Sequence, residues 1–149
     1  MPILIFAEIG TNGDTLLLEE VLKAKTNKQQ VTSNRNLLSY YINQKDYSRA
    51  FPVCHTLLKL KLSKKQKYYL YLDLATTYQH LGHVENSIEY FKEAEYIYPK
   101  QIGPKLMLGK IYFENGLYEL AKNKFYEALE IDSKSVTSMI CLGDVFRAQ

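Results

Sequence analysis

The sequence predicts an all-α fold, a solenoid of antiparallel helix pairs, and three observations carry that prediction. Residues 68–134 state nearly the same pattern twice at an offset of 34, the mark of stacked copies of a unit that cannot bury its apolar face alone. Within each copy, two apolar stripes at helical spacing are separated by a glycine. With 149 residues and 46% hydrophobic content, the chain is long enough to bury a real core as one domain.

Leu74 matches Leu108, Ala75 matches Gly109, Tyr78 matches Tyr112 and Gly82 matches Gly116. Ser87 and Ala121, Phe91 and Phe125, Ala94 and Ala128, and Ile97 and Ile131 complete the register. Leu74 and Tyr78 stand four apart, as do Leu108 and Tyr112, so each pair shares one face of a first helix. Gly82 and Gly116 follow as residues that leave a helix in the left-handed conformation at little steric cost. A second helix then carries Ile88, Phe91, Ala94 and Ile97 in one copy, and Ala121, Phe125, Ala128 and Ile131 in the other. So short a connection makes the two helices antiparallel. Ala75, Gly109, Ala94 and Ala128 fall where helices approach most closely, and a leucine at any of them overpacks the contact by roughly 1–3 kcal/mol. Tyr78, Tyr112 and Phe91 are the large complements, each contributing about 1.5–3 kcal/mol when fully buried.

At these residues the chain resembles the tetratricopeptide repeat. The family's run of leucine, small residue, tyrosine, glycine, small residue, phenylalanine, alanine and proline is met by Leu74, Ala75, Tyr78, Gly82, Ser87, Phe91, Ala94 and Pro99. The second copy meets it through Leu108, Gly109, Tyr112, Gly116, Ala121, Phe125 and Ala128, with Ser133 in place of the proline. The resemblance implies a right-handed superhelix and a non-catalytic module that binds another protein or a peptide segment, with no cofactor.

Taken in order, the chain opens on the apolar run Pro2–Ala7, too short to span a membrane and without the basic leader of a whole signal peptide. It reads either as the tail of an export signal, which places the protein in the cell envelope or periplasm, or as a short segment packed against the first helix or disordered, with a cytoplasmic protein as the alternative compartment. Residues 8–13 read as loop, closing an N-terminal segment 1–13. Asp14 and Thr15 can cap a helix to about Lys25, with Leu16, Leu17, Val21 and Leu22 on its apolar side, within a region 14–30. Thr26 to Asn34 is either loop or the weakly patterned start of the next helix. Residues 31–67 form a degenerate earlier copy, in which Leu37, Tyr41, Ala50, Cys54, Leu57 and Leu60 precede Leu74, Tyr78, Ser87, Phe91, Ala94 and Ile97 by 37. There Leu38 replaces the small residue, Lys45 replaces the glycine, and Pro52 falls inside the second helix, where a missing N–H predicts a kink. The two clear copies occupy 68–101 and 102–135. In 136–149, Leu142, Gly143 and Phe146 continue Leu108, Gly109 and Tyr112. This last helix either caps the stack or opens a further copy of a longer array, and Met139 and Ile140 make it more apolar than a cap requires.

Net charge is +3, too small to argue for nucleic acid by itself. The charge is uneven, +5 over residues 1–65 and −2 over 66–149. Its densest basic run, Lys59 to Lys67, offers a second reading as a patch for an anionic surface or nucleic acid. Against that, no arginine or aromatic interleaves the run, and a solvated turn with lysines near a helix C-terminus is favoured by the helix dipole. A third reading is a regulatory or sensor domain of a larger protein. Two cysteines, Cys54 and Cys141, make no disulfide framework and read as free thiols. His55, His80 and His83 have no Cys or Asp partners at zinc spacing, and no phosphate loop, nucleophile elbow or paired metal-binding histidines occur. Glu89, Lys92, Glu93, Glu127 and Glu130 read as a solvated outer face.

In the resembled family, the first helix of each unit lines a groove that holds a peptide. Projected onto this sequence, that face is Tyr69, Leu72, Thr76, Gln79 and His80, then Leu106, Lys110, Phe113 and Glu114, then Ile140, Asp144 and Arg147. Tyr69, Leu72, Leu106, Phe113 and Ile140 are too apolar to stand exposed without a reason; either a ligand covers them or neighbouring helices do. Repeats that hold the carboxylate tails of chaperones set Lys, Asn and Arg along this face. Here the matching positions are Arg35, Ser39, Asp73, Gly103 and Met107, a poor fit to such a tail.

Overall fold

The computed structural model describes residues 12–149, so the expectations for the apolar run at 2–7 and the loop after it lie outside the described residues. The described chain forms eight α-helices, and no strand occurs among the described residues. It divides into two compact units between Leu62 and Ser63.

The first unit comprises α1 (Asn12–Lys23), α2 (Asn27–Asn43) and α3 (Tyr47–Leu58). Thr26 and Gln29 form a capping box that starts α2, satisfying two donors that a helix N-terminus leaves open. The polar stretch from Thr26 is thus the start of a helix. The core is Val31, Leu37, Leu38, Tyr41, Ala50, Val53, Cys54 and Leu57. Asp14 departs from its expected role. The helix begins before it, and Asp14 is 1% exposed, accepting from Arg49 Nη1 of α3 at 2.6 Å. Arg49 also donates through Nε to Asp46 at 2.6 Å and lies 5.0 Å from the Tyr41 ring centroid. With the buried side of α1 used this way, Leu16 and Leu22 are both 68% exposed and do not form the apolar side. Helix α3 is continuous through Pro52.

The second unit comprises α4 (Lys64–His80), α5 (Val84–Ile97), α6 (Ile102–Glu114), α7 (Tyr118–Ile131) and α8 (Val136–Ala148). Its core joins Ala75, Phe91, Leu108, Ile111, Tyr112, Ala121, Phe125, Leu142 and Val145 in one cluster. Phe91 and Phe125 are each 1% exposed. Phe125 of α7 crowds the backbone of α6 at Gly109: a Cβ there would lie 2.4 Å from Phe125 Cε1. Tyr78 is only half-buried and lies stacked on Tyr90, centroids 5.6 Å apart. Ile131 is 38% exposed and Phe146 56% exposed, so neither serves the core as the register suggested.

The same turn links α2 to α3, α4 to α5 and α6 to α7. Gly82 (φ 81°) and Gly116 (φ 73°) take the left-handed conformation, and Lys45 (φ 56°) takes it in the glycine's place. In each turn the following N–H reaches back five residues: Asp46 to Tyr41 O (2.9 Å), His83 to Tyr78 O (2.9 Å) and Leu117 to Tyr112 O (2.8 Å). These bonds satisfy carbonyls that a helix C-terminus otherwise leaves open. α5 and α7 start without a side-chain cap.

Candidate peptide-binding groove

All the groove positions fall in the second unit, on α4, α6 and α8. At about 100° per residue, Tyr69, Leu72, Thr76, Gln79 and His80 share one face of α4, and the same spacing gathers Leu106, Lys110, Phe113 and Glu114 on α6. α6 lies beside α8, and Lys110 of α6 and Asp144 of α8 both act on the Cys141 thiol. Burial pushes that thiol up, Lys110 lowers it and Asp144 raises it, leaving it above the usual cysteine value.

Exposure sorts the apolar positions into two kinds. Leu72, Leu106 and Phe113 are partly buried against the core cluster, and Phe113 tilts onto Tyr118 at 5.8 Å. Neighbouring helices therefore account for part of this strip. Tyr69 (44% exposed) and Ile140 (59%) stand free of the core. Tyr69 lies edge-on to Tyr68 at 5.3 Å. His80, Lys110, Glu114 and Arg147 are exposed, Thr76, Gln79 and Asp144 half-buried. Arg147 donates to Asp144.

A polar cluster stands apart from these positions. Glu95 of α5, Lys105 of α6, and Lys124 and Glu127 of α7 close an alternating ring. Lys105 Nζ contacts Glu95 and donates to Glu127 at 3.1 Å, while Lys124 Nζ reaches Glu95 at 3.0 Å and Glu127 at 2.9 Å. Burial works to lower the Lys124 amine, but hydrogen bonds to Glu127 and Glu95 overcome it and hold the amine above the usual lysine value. Burial likewise works to raise Glu127, and hydrogen bonds from Lys124 and Lys105 bring it below the usual glutamate range. Glu127 is therefore half-buried and tied into the ring, while Glu89, Lys92, Glu93 and Glu130 are exposed as expected. A signal for the ring does exist in sequence: Lys105 and Lys124 stand where the earlier copy has Tyr71 and Tyr90, which pack against each other at 5.6 Å.

The basic run is divided among different structures. Lys59 caps α3, Lys61 is held through its backbone N–H and C=O by the Asn27 side chain, both at 3.0 Å, and Lys64, Lys65 and Lys67 open α4. Lys59 is at a helix C-terminus, whereas Lys64, Lys65 and Lys67 lie in the first turn of α4, where the dipole disfavours them, and the Ser63–Gln66 capping box starts the helix instead. The Lys64 amine lies 5.3 Å from the Tyr98 ring centroid, an aromatic partner from outside the run. His80 ends α4, and His83 precedes α5 without capping it through its side chain. Among the described residues no group of three or more His, Cys, Asp or Glu is placed to hold a metal ion. Cys54 and Cys141 are not joined in a disulfide. No described helix is long and apolar enough to cross a membrane.

Residues 68–101 and 105–135 each match the family described as tetratricopeptide repeat. No curated protein sequence matches the chain. Among solved structures, the anaphase-promoting complex hetero-tetramer Cut9–Hcn1 aligns with a TM-score of 0.74 and 14% identity over 89% of this chain, which spans 26% of that one. The TPR domain of Arabidopsis OM64 aligns at 0.71 and 16% identity, covering 83% of this chain and 100% of that domain. PcrH, solved with the chaperone-binding region of PopB, aligns at 0.63 and 12% identity, over 85% of this chain and 98% of PcrH. At such identities the likeness is one of fold. Family match, paired helices and left-handed glycine turns agree: the chain carries two tetratricopeptide repeats, the helix pairs α4/α5 and α6/α7.

Proposed function

We propose that the protein is a non-catalytic adaptor whose second unit holds an extended or helical segment of a partner protein along α4, α6 and α8. The observation that carries this is the apolar line of Leu72, Leu106 and Phe113, partly covered from below and flanked by Tyr69 and Ile140, which stand in solvent. Large side chains left exposed on a repeat face mark an interaction surface, and Lys110 adds a cation among them. The PcrH structure, which contains a segment of PopB, supports this use of the fold. In the same reading, α2 and α3 are a diverged earlier copy. The turn at Lys45, with its reach-back bond from Asp46 to Tyr41, supports that assignment.

Peptides selected from a displayed random library on the immobilised chain test the proposal. Their affinity should fall at least about tenfold in Tyr69→Ala and in Lys110→Glu, with helicity and melting unchanged. Leu106→Ala and Phe113→Ala also reach the core, so they are poorer probes. A library that yields no binder, or binders indifferent to both substitutions, refutes the groove.

A further inference from the structure

The α4/α5 pair holds a row of three tyrosine rings that the groove does not use. Tyr71 and Tyr78 stand two helical turns apart on one face of α4, and Tyr90 of α5 meets them both. Tyr90 is stacked on Tyr78, centroids 5.6 Å apart and planes within 10° of parallel. It is tilted by 56° against Tyr71, again at 5.6 Å. Such spacings are those of rings in direct contact. All three residues are half-buried, so water reaches them. The other tyrosine contacts of α4, Tyr68 with Tyr69 and with Tyr98, are edge-on. The row does not recur in the next copy: Lys105 and Lys124 stand in place of Tyr71 and Tyr90, and Tyr112, in place of Tyr78, is buried in the core cluster. The chain has no tryptophan, so tyrosine is its most readily oxidised aromatic side chain.

We propose that Tyr78 and Tyr90 are a site of oxidative cross-linking, at which peroxide and a peroxidase-class oxidant join the two phenols as a dityrosine that ties α4 to α5. Each phenol gives up one electron to the oxidant and its hydroxyl proton to water. The two phenoxyl radicals then form a bond between ring carbons next to their C–O bonds. The hydrogen on each of those carbons moves to the phenolic oxygen, and both rings become aromatic again. Two electrons and two protons have then left the protein, and one hydrogen peroxide takes them up to become two waters. Tyr71 extends the site, because a radical formed there passes to the pair by electron exchange through Tyr90. Coupling inside the pair outruns coupling between chains, since the second ring is already in contact and no encounter is needed. Like a disulfide, the new bond restricts the unfolded chain, so oxidation stiffens this one repeat and leaves its neighbour, which lacks the row, unchanged.

The test treats the full chain, dilute, with a peroxidase and hydrogen peroxide, and runs free tyrosine in parallel to establish that the oxidant is competent. Dityrosine fluorescence is expected in the monomer. No Lys or Arg lies between Lys67 and Lys92, so trypsin leaves all three rings on the peptide 68–92. That peptide should become lighter by two hydrogens and give no backbone fragments from cleavage between Tyr78 and Tyr90. The oxidised monomer should melt above the untreated one. Tyr78→Phe and Tyr90→Phe keep the ring and lose only the hydroxyl, so circular dichroism should show an intact fold, and each should lose the cross-link. Tyr112→Phe should retain it. Three outcomes overturn the proposal: no dityrosine in the chain while free tyrosine is oxidised, dityrosine found only between chains, or a lighter peptide undiminished in Tyr78→Phe.

Discussion

One substitution, made at two matching positions, should act with opposite sign. Gly109 and Gly143 occupy the same place in successive copies and both lie inside helices, α6 and α8. Replacing a mid-helix glycine by alanine contributes up to about 1 kcal/mol through backbone entropy. At Gly143 nothing opposes that gain, since no atom lies within 4 Å of the new Cβ. At Gly109 the Cβ meets three Phe125 ring carbons at 2.4, 2.8 and 2.8 Å. The ring is 1% exposed in the core cluster, so it must shift by about 1 Å against close-packed neighbours. Overpacking of that kind costs roughly 1–3 kcal/mol. The net expectation is Gly109→Ala destabilised by about 1–2 kcal/mol and Gly143→Ala stabilised by about 0.5–1 kcal/mol. In thermal melts these are shifts of about 2–4 °C per kcal/mol, and urea midpoints should move in the same directions at constant m. Gly109→Ala more stable than the parent, or Gly143→Ala less stable, would refute the packing described for α6 and α7.

The ion ring should be costly to break at one member. Lys105→Met leaves Glu95 and Glu127 sharing Lys124; removing one partner of a fully buried pair costs about 3–5 kcal/mol. Because the Glu127 side chain is 39% exposed, about 2 kcal/mol is expected by urea unfolding. A loss below about 0.5 kcal/mol would mean that water already carries these charges. Glu127 titrates below its usual value, so its share of stability is present above that value and lost as pH falls through the lowered one. Lys124 titrates above its usual value, so its share is present below that value and lost as pH rises through the raised one. Urea midpoints across pH should therefore show a neutral plateau falling at both ends, and less steeply in Lys105→Met. In the first unit, Lys45→Gly should relieve a left-handed lysine and add about 0.5–1 kcal/mol, measured on that unit's unfolding transition.

What the sequence made legible was the part written at fixed spacing. Leu74, Ala75, Phe91, Leu108, Gly109 and Phe125 are buried as their register demands, and both glycine turns are left-handed, because packing and backbone geometry repeat with the unit. Legibility failed where a residue answers to a partner far along the chain. Asp14 looked like a cap because serine, threonine and aspartate before an apolar run usually are; Arg49, 35 residues away, draws it inward instead. Glu127 looked solvated because periodicity identifies a helix face without saying which ion waits opposite. Tyr78 stays half-buried because Tyr90 meets it face to face, a pairing that no spacing rule announces. Of the proposed groove, periodicity selected the candidate positions, while the division between Leu106 or Phe113, leaning on the core, and Tyr69 or Ile140, standing clear, needed the packed helices.

Near-identical building blocks run the risk of joining in the wrong order. Glu95 meets a cation on α6 because Lys105 stands there; a neighbour bearing tyrosine at that place, as α4 does at Tyr71, would leave this largely covered carboxylate without that partner. The four alternating charges thus act as an address, making the joint between the two matched copies selective at a point where leucine and phenylalanine would have welcomed either one.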